Sequence, residues 1–284
     1  GNQLNQLSHP YGMCLDDSQQ FVYISDCWNN RIMKWKIGAN DGQIIAGGKG
    51  DGNRIDQVSY PTDVIVDRKM KSLIISDRKN HRVVRWSLDN KQDDKQIVIS
   101  NCVCWGLKMN NDNGDLFVSD FRKHEVKKWR KGEKDGVVIA GGNGQGNQLN
   151  QLNCPTYIFI DRNETLYVSD WGNHRVMKWD KDAQEGIVVA GGQGQGSTLK
   201  QLSNPQGLAV NEVGDVYVAD YGNHRIMCWL SGAKESRVIV GENNEGKESN
   251  QLNGPMGLSF DRQRNLFVVD NGNHRIQRFD VEKS

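Results

Sequence analysis

The sequence predicts an all-β fold: a six-bladed β-propeller of four-stranded antiparallel blades, with a sixth blade of three strands. Three observations carry that prediction. First, Asp26, Asp77, Asp120, Asp170, Asp220 and Asp270 each end a short apolar run, at spacings of 51, 43, 50, 50 and 50 residues. A period of this size marks a solenoid, a propeller or an array. Second, each unit holds short runs of β-branched and aromatic residues divided by turn residues, with no helical periodicity. Third, the 31 glycines are too many for helices and suit tight turns. A superhelical array is the alternative arrangement, but a ring closes without exposed ends and is preferred. A single domain over residues 1–284 follows.

The unit at residues 153–192 justifies the elements in order. Residues 157–160 (YIFI) form a first strand, and residues 161–164 (DRNE) a polar turn. Residues 165–169 (TLYVS) form a second strand. Residues 170–174 (DWGNH) form a tight turn in which Gly172 is expected to supply a positive φ. Residues 175–179 (RVMKW) make a third strand and residues 186–190 (GIVVA) a fourth, closed by Gly191-Gly192. Each of the first three strand types occurs six times, but the fourth occurs five times, as QIIAGG, KQIVIS, GVVIAGG, GIVVAGG and RVIVGE. Gly1-Asn2-Gln3-Leu4 matches Gly146-Asn147-Gln148-Leu149, the stretch that follows a fourth strand. The expectation is a three-stranded blade six, completed in a longer chain by a strand directly upstream of Gly1. Without that strand blade six has an unpaired edge, a site for pairing with another chain.

The runs DWGNHRVMKW, DYGNHRIMCW and DNGNHRIQRF, with a Pro before each first strand, resemble the NHL repeat. The resemblance covers essentially the whole chain. Blade one departs with Asn30 in the His place, and blade three reads FRKHEVKKW with Glu125 in the Arg place. It implies a six-bladed propeller that binds protein or RNA. Some related propellers are enzymes. Peptide-amidating lyases of this kind carry zinc-binding His directly after the repeat Pro, where this chain has Tyr11, Thr62, Trp105, Thr156, Gln206 and Met256. Lactonase-like propellers hold calcium with mouth carboxylates, and Asp63 is the single carboxylate in the corresponding set. One carboxylate is too few for a calcium cage. No catalytic residue, metal or cofactor is assigned.

Several columns look chemical and are read as structural. His81, His124, His174, His224 and His274 sit on different blades, roughly 10–15 Å apart by strand counting. Zinc needs ligands at about 2.0–2.3 Å, so they cannot share an ion. They are expected to pack turns and bond backbone. The Asp column and Arg31, Arg82, Arg175, Arg225 and Arg275 read as a repeated charge pair. Trp35, Trp86, Trp129, Trp179, Trp229 and Phe279 read as blade-on-blade packing. The glycine loops never continue to G-K-S or G-K-T, which excludes a phosphate loop. The six cysteines show no zinc spacing. They are expected reduced, with a Cys154 disulfide to Cys102 or Cys104 as the geometric alternative.

Functional candidates come from places that break the repeat. The loop before blade three is seven residues shorter than its neighbours, and Cys104 replaces the repeat Pro. That shortening is expected to leave a notch with Trp105 at the channel mouth. The residue after the Asp column varies, as Cys27, Arg78, Phe121, Trp171, Tyr221 and Asn271, and the candidates in it are Arg78, Phe121, Trp171 and Tyr221, with Trp28 one position on in blade one. Lys79, Arg122 and Lys123 add charge, and Tyr11, Tyr157 and Asp63 follow the repeat Pro closely. These twelve residues are the ligand-binding candidates. The expected partner is a protein or peptide, with single-stranded RNA second and carbohydrate third. The net charge of +1 gives no electrostatic pull toward DNA. No run of about 18 apolar residues predicts membrane insertion. The compartment stays open, either cytoplasmic or an extracellular domain of a longer chain.

Overall fold

The structure is a computed structural model that describes residues 1–284 apart from 17, 19, 90–94, 242–244 and 282–284. It is a closed ring of six antiparallel sheets, with strand order equal to chain order in every sheet. Blade one is β1 (Pro10–Leu15), β2 (Phe21–Asp26), β3 (Arg31–Lys36) and β4 (Gly42–Gly47). Blade two is β5 (Pro61–Asp67), β6 (Ser72–Asp77), β7 (Arg82–Ser87) and β8 (Lys95–Ser100). Blade three is β9 (Cys104–Met109), β10 (Leu116–Asp120), β11 (Glu125–Trp129) and β12 (Val137–Gly141). Blade four is β13 (Pro155–Ile160), β14 (Leu166–Asp170), β15 (Arg175–Trp179) and β16 (Ile187–Gly191). Blade five is β17 (Pro205–Val210), β18 (Val216–Asp220), β19 (Arg225–Trp229) and β20 (Ser236–Val240). Blade six is β21 (Pro255–Phe260), β22 (Asn265–Asp270) and β23 (Arg275–Asp280), and has three strands among the described residues. The first strands contact one another in turn around the axis, and β21 meets β1 to close the ring. Their approach is close at the glycine two places after the repeat Pro. A Cβ on Gly106 would lie 2.7 Å from the Thr156 carbonyl oxygen of the next blade.

Hydrophobic clusters straddle pairs of blades, so the core lies between sheets. Phe117, Val126 and Ala140 of blade three pack with Leu152, Ile158 and Val168 at the start and body of blade four. Each fourth strand contributes one buried residue to such a seam: Ala46, Ile99, Ala140, Ala190 or Val240. Burying a residue of this size stabilises by about 1.5–3 kcal/mol for the larger side chains.

The turn after each second strand corrects one expectation. Gly172 does not supply the positive φ; His174 does, at 53°, ending a 3-10 turn over Trp171–Asn173. Gly172 is there because a Cβ would meet the Asn153 side chain at 2.5 Å. Four of the five column histidines staple neighbouring blades. Nδ1 of His124, His174, His224 and His274 accepts the backbone N–H of Cys154, Asn204, Gly254 and His9 respectively. Asn30 does the same with Oδ1 for the Tyr60 N–H, which explains why Asn serves in the His place. The last of these staples, His274 to His9, joins blade six to blade one.

The Asp and Arg columns organise the linkers. Arg175 Nε donates to Asp170 Oδ2 at 2.7 Å, while its other nitrogens donate to the carbonyls of Asn147, Gln148 and Gln151. Asp170 Oδ1 accepts the Asn153 N–H. The same node recurs at Arg31 and Arg82. In blade three the long linker and the arginine are lost together, because without that loop there are no carbonyls for a guanidinium to hold. The cysteine expectation also changes. Cys102 pairs with Cys104, across the shortened turn at a Cα separation of 5.0 Å, and Cys154 is free.

Candidate functional site

All Asp-column turns open on one face of the ring, because Pro10 pairs with Asp26, and each later first strand likewise begins opposite its Asp. The residue after each Asp therefore stands at the rim of one channel mouth. Around that rim run Cys27, Arg78, Phe121, Trp171, Tyr221 and Asn271. Below it, the residues after the repeat Pro make a floor from Tyr11, Thr62, Trp105, Thr156, Gln206 and Met256.

Four aromatic rings form an arc across the mouth. Tyr11 stacks on Trp105 with centroids 5.9 Å apart, and Trp105 stacks on Phe121 at 5.1 Å. Phe121 lies tilted against Trp171 at 6.1 Å. The Arg78 guanidinium sits 4.5 Å over the Trp105 ring and 5.8 Å from Phe121. Such contacts between a cation and aromatic faces contribute about 0.5–2 kcal/mol. Trp105 is only 6% exposed, so the short loop does not leave it open as an anchor. The reason is long-range: Tyr11 from blade one, Arg78 from blade two and Phe121 cover the space the lost loop vacates. The open aromatic surface lies at Phe121 and Trp171, both half-buried, and at Tyr221, which is exposed.

The floor is closed, and burial shifts its acidic groups upward. Tyr157 reaches past blade three and donates from its hydroxyl to the Thr62 carbonyl at 3.2 Å. Burial pushes the Tyr157 hydroxyl well above its ordinary pKa. Asp63 is buried beside it, with carboxylate oxygens accepting the N–H of Leu107 at 2.9 Å and of Val64 at 3.0 Å. Burial nevertheless pushes its carboxyl up to about 7. The Tyr11 hydroxyl and the Cys27 thiol are each pushed up to about 12, mainly by burial. A thiol held so far from thiolate is a poor nucleophile. Gln206 Oε1 is buried with no hydrogen-bond partner among the described residues. No group of three or more potential metal-ligating side chains occurs among the described residues.

The twelve candidates do not all converge. Trp105, Phe121, Trp171, Tyr11 and Arg78 form the arc. Asp63 and Tyr157 lie beneath it as a plug rather than as contact surface. Lys79 is drawn toward the blade-two linker, paired with Asp51 and 5.2 Å over the Tyr60 ring. Lys123 donates to the Asn101 carbonyl, and Arg122 is exposed. Trp28 is 54% exposed but stacks on His9 at 3.7 Å, at the junction of blades six and one and away from the arc. Cys27 and Asn271 fill the same column after the Asp residues, as the register implied, and are both buried rather than open to a ligand. Among the described residues, no helix is long and apolar enough to cross a membrane.

Residues 202–229 and 252–279 match the family model of the NHL repeat. No curated protein matches the chain by sequence. Solved structures match by shape. An auxiliary nutrient binding protein from Bacteroides thetaiotaomicron has a TM-score of 0.75 at 14% identity, over 96% of this chain and 69% of that one. A gluconolactonase from Xanthomonas campestris has a TM-score of 0.68 at 13% identity, over 94% and 85%. A catalytically inactive virginiamycin B lyase from Staphylococcus aureus, solved with quinupristin, has a TM-score of 0.61 at 12% identity, over 99% and 87%. Binding proteins and enzymes thus share this fold, and likeness at such identity speaks to fold alone.

Proposed function

We propose, from the premise that this chain belongs to the NHL-repeat family of six-bladed β-propellers, that it is a non-catalytic platform binding a protein or peptide at the aromatic mouth. The observation that carries this reading is the arc itself. Its Phe121 and Trp171, extended by Tyr221 on the next blade, offer ring surface on three successive blades, beside Arg78 and above a plugged floor. A closed floor favours a ligand that lies across the mouth over a small substrate that enters it. Rigid aromatics and an arginine are the side chains that carry most binding energy at protein interfaces. Cys27 and Tyr11, which burial keeps protonated, also support binding over chemistry, since a nucleophile must reach its charged form.

RNA is the second reading, favoured by exposed Arg122 beside Phe121 and Trp171, where bases could stack and phosphates pair. Selection from a displayed random-peptide library separates the two. The expected result is enrichment of peptides with an aromatic or aliphatic anchor, with affinity falling about tenfold in Trp171→Ala and Tyr221→Ala. No enriched peptide, together with random single-stranded RNA binding that weakens steeply with salt, would transfer the reading to RNA.

A further inference from the structure

The rim of the mouth carries its charge on one side. The three residues after each column Asp read CWN, RKN, FRK, WGN, YGN and NGN from blade one to blade six. Blades two and three therefore bring Arg78, Lys79, Arg122 and Lys123 to the rim, and none of the six triplets holds an acid. Two of these cations are already engaged. Lys79 pairs with Asp51, and Lys123 donates to the Asn101 carbonyl at 3.1 Å. Arg78 and Arg122 remain, with no hydrogen-bond acceptor or ion-pair partner for either guanidinium among the described residues.

Arg78 is the more constrained of the two. It is half-buried, with its guanidinium 4.5 Å over the Trp105 ring and 5.8 Å from Phe121, whereas Arg122 is exposed. Arg82, four residues on, shows how a structural arginine is used in this fold. Its Nε donates to Asp77, and its other nitrogens donate to the carbonyls of Asn53, Arg54 and Gln57. Arg78 lies on ring faces instead, and its five N–H donors are left without acceptors. Covering Trp105 does not require a cation, since the same column place on the next three blades holds the rings Phe121, Trp171 and Tyr221. The Tyr11 hydroxyl and the Cys27 thiol on blade one both feel the Arg78 charge, yet burial keeps them protonated, so neither supplies a counter-charge.

We infer that the mouth takes an acidic peptide, with one carboxylate seated on the Arg78 fork and a neighbouring apolar side chain laid on Phe121 and Trp171. This inference rests on the reading of the mouth as a peptide platform, and adds the ligand's charge and its orientation: acid toward blade two, apolar toward blade four. A guanidinium matches a carboxylate through two parallel N–H···O bonds, and such charge-assisted pairs are the strong ones. Stacking has already restricted the Arg78 head, so little freedom is lost when the carboxylate arrives. Phosphate chains fit less well. Two unengaged guanidinia and a net charge of +1 give little of the counterion release that drives nucleic-acid binding.

The test selects peptides from a displayed random library on the wild type and on Arg78→Met in parallel. Methionine keeps an apolar cover over Trp105 and removes the fork, and circular dichroism checks the fold. The wild type should enrich peptides with Asp or Glu close to an aromatic or aliphatic anchor, and Arg78→Met should keep the anchor and lose the acid. The most enriched wild-type peptide is then made again with its Asp or Glu replaced by the amide. The wild type should bind the amide about tenfold or more weakly than the acid, and Arg78→Met should not distinguish them. The wild-type comparison needs no variant, so it stands even where methionine disturbs the fold. Anchored peptides without an acidic preference overturn this inference and leave the peptide platform in place, as does an acidic preference undiminished in Arg78→Met. No enriched peptide at all overturns both, and retention of random single-stranded RNA then assigns the two guanidinia to phosphate.

Discussion

At the scale of single residues, the buried polar groups set the conditions for stability. Asp63 is raised to about 7 because burial disfavours its charge. A raised value means that the folded chain holds the proton more tightly than the unfolded chain does. The stability so gained is complete below the unfolded value near ~4 and is lost as pH rises through about 7. Urea midpoints of the wild type should therefore fall by an amount on the order of 3 kcal/mol between about pH 5 and about pH 8, relative to Asp63→Asn. Parallel pH profiles for the two proteins would refute the assignment. His174 runs the other way. Burial lowers its pKa, and its Nδ1 must stay unprotonated to accept the Asn204 N–H. Its contribution is present above the ordinary histidine value and is lost as pH falls through the lowered one. Arg175 is a different case, because it satisfies a buried carboxylate and three carbonyls together. Arg175→Ala should cost about 3–5 kcal/mol in equilibrium unfolding, by leaving Asp170 buried and uncompensated. Glu125→Ala, at the same place in blade three, should cost under about 1 kcal/mol, because no linker depends on it.

At the scale of elements, the strand order was readable because each period repeats the whole sequence of strand, turn and strand. The five fourth strands could be counted, and blade six has three strands among the described residues, as that count implied. What periodicity could not reveal was the exposure of Trp105. Its covering comes from Tyr11 and Arg78, which belong to other blades, and a local pattern carries no such contact. The left-handed histidine was likewise hidden, since a D-x-G-N-H turn draws the eye to its glycine. The pairing of Cys102 with Cys104 depends on how the shortened turn folds back, which spacing alone left open. Blade six offers a direct element-level measurement. Supplying a fourth strand by fusion ahead of Gly1 should raise the unfolding free energy by about 2 kcal/mol, through burial of Ile276 and its neighbours. No rise in the urea midpoint would mean that the edge is already compensated.

For the whole molecule, six similar blades do not make six equal seams. Hydrogen exchange should be slowest in blades two to four, each flanked by complete blades, and fastest along β23 and the first turn of blade one. Uniform protection around the ring would contradict this. The seam between blades six and one is held by the meeting of β21 and β1, the Asn271 donation to the Pro10 carbonyl, and the His274 staple. The Tyr157 hydroxyl, meanwhile, reaches past blade three to Thr62 and ties blade four to blade two. A ring braced over three blades and thin at one place behaves mechanically as a clasp. Tension applied across the junction of blades six and one would load that one seam, leaving the braced blades at rest, and the disc would unfasten there before any blade unravelled.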